Sequence, residues 1–318
     1  MMDNLKVFAG SSNEAFAQEI CAVLDTSLGK LEVARFSNDN ISIQILENVR
    51  ERDVFVVQSF SGDVNDCIIE LFIILDALRS ASAKRITAVI PYFSYARSDK
   101  KDAPRISIAA RLMADLLKTA GADRVLTMDL HSDQVHGFFS MPVDHLTAIP
   151  ALVEYFHQNC DSANTVAVAT DAGGAKRVGR FAERLGIPLA IIDKRRINDE
   201  NVKHGLVVGE VAGKDAIIFD DEIAAATTLV STAETLLKAG VKSVSAGATH
   251  GVFCGPAIQR LRDSAFSRIV VTNTVALSPE KQLPSIKTLS VAPIFAEAIR
   301  RIHTGESIGA LFSRKRLS

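Results

Sequence analysis

Several features that would assign this chain to a specialised class are missing or scarce. Its four cysteines, Cys21, Cys67, Cys160 and Cys254, lie far apart and form no Cys-x-x-Cys pair. That spacing argues against a zinc knuckle or a redox dithiol and leaves reduced, buried thiols as the simpler reading. Long hydrophobic runs are absent too: the most apolar stretch, residues 71–75, falls far short of the roughly 20 residues that cross a bilayer. No apolar segment follows a basic start, and Asp3 interrupts the place where a signal peptide's core would begin. Neither sign of charge is in excess, since 36 Lys+Arg stand against 37 Asp+Glu for a net charge of -1. Nothing global therefore favours nucleic acid or an anionic membrane, and any phosphate recognition must be local. The expectation is a cytoplasmic protein with no nucleic-acid or membrane partner.

What is present reads as a folded α/β protein. The chain has 318 residues, 47% apolar and 23% charged, enough for two domains that each bury a core. Apolar runs at 5–9, 54–58, 86–90 and 125–128 and the alternating stretch 41–45 read as strands, and residues 14–24, 66–80 and 106–120 repeat apolar positions at helical spacing. The second half repeats the grammar, with strands at 166–169, 189–192, 216–219, 241–248 and 269–272 and a helix over 175–185. Such alternation predicts a mainly parallel sheet flanked by helices in each half. Residues 148–163, between the two complete sets, read as the seam.

Five stretches at strand ends carry possible chemistry. Residues 216–219 form a buried strand that ends in Asp220, Asp221 and Glu222 and leads to a helix beginning near Thr228. Carboxylates there suit ribose hydroxyls or a metal, while helix N–H groups and threonine hydroxyls suit a phosphate; a plain helix-capping loop is the competing reading. After the strand at 86–90, Tyr92, Tyr95, Arg97, Asp99, Lys100 and Lys101 make a loop that can hold a polyphosphate or be merely solvated. Asp129 and His131 alternate off another strand end, and His131 is a candidate ligand for a divalent ion or a phosphate oxygen, or a histidine that is simply hydrogen-bonded. Asp171, Gly173, Gly174, Lys176 and Arg177 occupy a strand-to-helix turn able to cradle an anion, although the order is neither GxGxxG nor GxxxxGK[ST]. Lys194, Arg195 and Arg196 leave a strand as consecutive cations, suited either to closing over a transferring phosphoryl group or to an ordinary surface loop.

Together these stretches resemble the ribose-phosphate diphosphokinase family, of the class that depends on phosphate and magnesium. The similarity runs nearly end to end, through Phe8-Ala9-Gly10-Ser11-Ser12-Asn13, Arg35-Phe36-Ser37-Asn38, Pro91-Tyr92-Phe93, Thr127-Met128-Asp129-Leu130-His131, Asp171-Ala172-Gly173-Gly174-Ala175-Lys176-Arg177 and Asp193-Lys194-Arg195-Arg196. The resemblance implies two phosphoribosyltransferase-type domains, 1–147 (the ATP side, completed by the tail 301–318) and 148–300 (the ribose-5-phosphate side). It further implies a homo-oligomer built from dimers, commonly a hexamer, that transfers the diphosphoryl group of ATP to ribose 5-phosphate. Phe36 would stack on adenine and Asn38 bind ATP from a neighbouring subunit, with Arg97, Asp99 and Lys100 on the nucleotide. His131 and Asp171 would bind magnesium (Mg2+), and Lys194 and Arg196 would stabilise the group in flight. Asp220 and Asp221 would face the ribose hydroxyls, while Thr227 and Thr228 cradle the 5-phosphate. Inorganic phosphate is the implied activator.

One stretch departs from that family's pattern. Where the family reads Asp-Asp-x-x-Asp-Thr-x-Gly-Thr, this chain has Ala224 for the third aspartate, Ala225 for the first threonine and Thr227 for the glycine. Asn40 and Ser98 replace an expected glutamate and glutamine on the ATP side. Each lost hydrogen bond to a charged ligand weakens binding by about 1.5–3 kcal/mol. Two readings follow: an active synthetase with a rebuilt phosphate loop, and a catalytically impaired homologue that assembles with or regulates an active one. Retention of Arg97, His131, Asp171, Lys194 and Arg196 favours the first.

Overall fold

A computed structural model describes residues 4–193, 196–198, 201–202 and 206–309, with the backbone alone for 196–198 and 201–202. The contacts divide these residues into two units, 4–147 with 274–276 and 291–309, and 148–273 with 277–290. Among the described residues, no helix is long and apolar enough to cross a membrane.

In the first unit, Leu5–Ala9 (β1) leads to Glu14–Val23 (α1), whose first turn is closed by the Asn13 side chain accepting from the Phe16 amide. Leu31–Arg35 (β2) and Ile41–Ile45 (β3) pair as an antiparallel hairpin. Then come Asp53–Val57 (β4), Val64–Ser80 (α2), Arg85–Ile90 (β5), Ala109–Ala120 (α3), Arg124–Met128 (β6) and Val143–Leu146 (β7). The sheet runs β1-β4-β5-β6-β7, every pair parallel. Every residue of β4 is buried, as a strand covered on both faces requires. Helix α3 starts three residues later than its apolar spacing predicts, since Arg105 sits in the left-handed region (φ 65°) and Ile108 only caps the helix. The sequence reading missed β2, whose side chains are mostly exposed and so show no apolar run.

The second unit opens with Ile149–Asn159 (α4), so the stretch read as a seam is in fact a helix. Pro150 in its first turn and the buried Ile149, Leu152, Val153 and Phe156 explain it. Thr165–Ala169 (β8), Ala175–Leu185 (α5) and Leu189–Asp193 (β9) follow, then a small antiparallel ribbon of Arg196–Asn198 (β10) and Asn201–Val202 (β11). Leu206–Val208 (β12), Asp215–Ile223 (β13), Thr227–Lys238 (α6), Ser243–Gly251 (β14), Ala257–Arg262 (α7), Phe266–Thr272 (β15) and Ile286–Leu289 (β16) complete it. The sheet order is β12-β9-β8-β13-β14-β15-β16, parallel except where β12 meets β9. On one face the rings of Phe156, Phe181 and Phe219 pack in series, the last two stacked with centroids 4.3 Å apart. Gly247 in β14 makes room for them, because a Cβ there would stand 2.9 Å from the Phe156 ring.

The last helix, Ala292–Thr304 (α8), belongs with the first unit, so the returning segment begins near residue 291 rather than at the 301 expected from sequence. Apolar packing and charge both hold it there. Phe295 meets the Phe16 ring edge-on at 5.3 Å. Arg85 donates to the Ile302 carbonyl (2.9 Å) while also binding Asp53, and His303 Nδ1 lies 2.7 Å from the same Asp53 carboxylate.

Candidate active site

The second sheet fixes where a ligand can enter. From β8 the chain crosses to β9 on one side, and from β13 it crosses to β14 on the other. The order reverses between β8 and β13, and the carboxyl ends of such strands bound a ready-made crevice. Asp220, Asp221 and Glu222 sit there, but inside β13 rather than past its end as the sequence reading had it. The strand continues to Ile223 because Asp220, Glu222 and Ile223 stay paired with Ala248, His250 and Gly251 of β14, while pairing with β8 stops at Ile218. The acidic residues are thus anchored on one side and open on the other.

Arg177 of α5 organises this pair. Its Nη1 donates to Asp220 Oδ1 (3.2 Å) and to Asp221 Oδ1 (2.8 Å), and Thr170 Oγ1 donates to Asp220 Oδ2 (3.3 Å). Asp221 is buried and Asp220 half-buried. Burial first, then the neighbouring Asp221 carboxyl, pushes the Asp220 pKa up to about 7, with Arg177 opposing. Asp220 therefore accepts or donates hydrogen bonds near neutral pH according to its occupant. Sequence reasoning quoted Arg177 without giving it a role. The available signal is its place in the first turn of α5, from which a long side chain points back toward the helix start.

Around the acidic pair lie two turns rich in amides. In the first, the Gly174 N–H donates to Oδ1 of the exposed Asp171 (2.9 Å). The second spans Ala224–Ala226, where Ala226 is buried and adopts the left-handed conformation (φ 58°) ahead of α6. Helix α6 begins at Thr227, one residue ahead of expectation, and Thr227 and Thr228 are exposed. Among the described residues, the N–H groups of Ala224, Ala225 and Ala226 find no acceptor, an unusual state for amides that are partly or wholly buried. With the orphan amides of the first helical turn they leave a run of donors available to an anion. The carbonyls are tied instead: Ile223 O accepts from Val252 and Phe253, Ala224 O from Cys254 (3.1 Å) and Ala225 O from Arg260 Nη1 (2.8 Å).

The first unit carries the other predicted residues. Arg97 ends a short 3-10 turn after β5, and Asp99 and Lys100 follow it, with Arg97 and Lys100 exposed. His131, also exposed, follows β6, the parallel neighbour of β5, so these four residues follow the carboxyl ends of two adjacent strands. The turn before His131 is set by Asp129 (φ 38°) and by the Leu130 amide donating to His145 Nε2 (2.8 Å). Phe36 and Asn38 come together at the tip of the β2–β3 hairpin, where Phe36 is 60% exposed. Lys194 lies outside the described residues, and of Arg196 only the backbone, in β10, is described. Among the described residues no group of three or more His, Cys, Asp or Glu converges as a metal cage.

Comparison with known proteins supplies the family. A model of the N-terminal domain of ribose phosphate pyrophosphokinase matches residues 5–121, and one of the phosphoribosyl synthetase-associated domain matches 201–313. The ribose-phosphate pyrophosphokinase of Clostridium acetobutylicum is 48% identical over 313 residues, covering 98% of each chain. That of Deinococcus radiodurans is 50% identical over 315 residues, covering 97% of this chain and 98% of its own. Among solved structures, the phosphoribosylpyrophosphate synthetase from Mycobacterium smegmatis matches with a TM-score of 0.91 at 40% identity, over 95% of this chain and 100% of that one.

Proposed function

The chain belongs to the ribose-phosphate pyrophosphokinase family, and on that premise we infer that it transfers the diphosphoryl group of ATP to ribose 5-phosphate, giving phosphoribosyl pyrophosphate and AMP. The observation that carries the inference is the pairing, along one stretch of β13 and its loop, of the carboxylates of Asp220 and Asp221 with amides of 224–226 that find no acceptor among the described residues. A pentose phosphate presents the complementary pair of groups, vicinal hydroxyls and a phosphate. Nothing observed favours the reading of a catalytically impaired associated subunit.

In this account Asp220 and Asp221 accept hydrogen bonds from the ribose hydroxyls, and Arg177 keeps both carboxylates aimed. The loop amides with Thr227 and Thr228 hold the 5-phosphate. On the ATP side Arg97, Asp99 and Lys100 hold the nucleotide and its phosphates, and Phe36 and Asn38 reach the adenine end of a neighbouring subunit's nucleotide. Lys194 and Arg196 stabilise the charge that develops on the group in flight. No nucleophilic side chain is required, since phosphoryl chemistry rests on positioning and charge neutralisation. His131 and Asp171 are the assigned protein ligands of Mg2+. An exposed imidazole or an exposed carboxylate, each taken as a single donor, suits an ion that keeps several waters and takes its other ligands from substrate phosphates. When bound, that ion supplies Lewis-acid polarisation of the phosphoryl oxygens.

The family resemblance supports a homo-oligomer built from dimers, up to a hexamer, together with activation by inorganic phosphate and a cytoplasmic setting. The test is AMP release from ATP with Mg2+ and inorganic phosphate. Release that saturates with ribose 5-phosphate is the expected result, and ATP binding without AMP release contradicts the inference.

A further inference from the structure

The loop assigned to the 5-phosphate has no side-chain donor from Ala224 through Ala226. Over those three residues, ahead of Thr227 and Thr228, the hold on an anion rests on how the amides are turned. A trans peptide has its carbonyl and its N–H on opposite edges of one plane, and no cis peptide is present among the described residues. Whatever fixes the carbonyl of Ala225 thus aims the N–H of Ala226 the other way. That carbonyl is held by Arg260 Nη1 at 2.8 Å, whereas the carbonyls of Ile223 and Ala224 are held by backbone amides of 252–254. Of these ties, the one to Ala225 alone comes from a side chain.

Two further observations mark the arrangement as built rather than incidental. Arg260 forms no ion pair among the described residues, so there its cationic group is given to the Ala225 carbonyl. The backing segment also contains Phe253, a buried bulky residue with φ 46°, a conformation that costs energy and persists only where the surroundings impose it. We propose that Arg260 is a positioning residue for the 5-phosphate of the sugar substrate: by bonding the Ala225 carbonyl it turns the Ala226 N–H to the anion and sets a positive charge behind the loop. This rests on the reading that the loop at 224–228 binds ribose 5-phosphate. It explains how a run of alanines can still hold a phosphate.

The test compares Arg260→Met, Arg260→Lys and wild type. KM is measured for each substrate, and the affinities for ribose 5-phosphate and for ribose are measured by calorimetry. Arg260→Met should raise KM for ribose 5-phosphate by on the order of tenfold, leave KM for ATP and the affinity for ribose unchanged, and change kcat little. Arg260→Lys should recover most of the loss. Unchanged KM for ribose 5-phosphate in a folded Arg260→Met variant, or an equal loss toward ribose, overturns the proposal. If circular dichroism shows that Arg260→Met does not fold, Arg260→Gln takes its place in the same comparison. A wild type that binds ribose 5-phosphate without releasing AMP sinks the catalytic reading alone, and the calorimetric comparison still decides Arg260. A wild type that fails to bind ribose 5-phosphate overturns both.

Discussion

Asp220 and Asp221, neighbours in one strand, share a single nitrogen of Arg177, at 3.2 and 2.8 Å. Without that guanidinium, two carboxylates would lie side by side in a crevice where Asp221 is 3% exposed. Truncating Arg177 to methionine leaves a buried charge uncompensated. The expected loss of folding stability is about 3 kcal/mol, read from urea denaturation at neutral pH. A loss under about 1 kcal/mol, the range of exposed pairs, would contradict the assigned role.

The raised pKa of Asp220 gives a pH signature. Its folded pKa of about 7 lies above the roughly 3.9 of an unfolded aspartate. Its stabilising contribution is therefore complete below about pH 4 and is lost as pH rises through 7. Between those limits ligand-free wild type should lose stability relative to Asp220→Asn. Denaturation midpoints of the two proteins at steps across this window should diverge, and parallel curves would show that Asp220 titrates normally.

A third expectation concerns the return of α8 to the first unit. Asp53, 7% exposed, receives Arg85 and faces His303. Asp53→Ala breaks both links, and with the Arg85 side chain 35% exposed the cost should fall below that of a fully buried pair, at about 2 kcal/mol. Amide exchange should quicken in α8 but not in α6. Equal quickening in both helices would show that α8 has no separate anchorage.

Gly247→Ala tests the aromatic layer. The added methyl would stand 2.9 Å from Phe156 and 3.2 Å from Phe219, both held in close packing, so overpacking should cost about 1–3 kcal/mol. Thermal unfolding measures it; a stability equal to wild type would mean that the layer yields freely.

Apolar runs and apolar periodicity make much of the framework legible. Residues 41–45 and 175–185 are strand and helix with the ends read from the sequence, because apolar period and burial agree there. The misses share a cause. β2 is mostly exposed and carries no apolar signal, and α4 lay in a stretch read as a seam. The acidic triplet looked like a strand's stop because carboxylates are scarce in strands, yet pairing with β14 carries β13 through it. The crevice itself could be placed from strand ends, whereas Arg260 could not, since 35 residues separate it from Ala225 and only the tertiary fold joins them.

The most direct measurement is phosphorus NMR of the protein with ATP, ribose 5-phosphate, Mg2+ and inorganic phosphate. AMP and a diphosphoryl group on the anomeric carbon of the sugar, appearing together in equal amounts, are the predicted result. ATP that remains intact, or that yields ADP and inorganic phosphate with the sugar unchanged, would contradict the account.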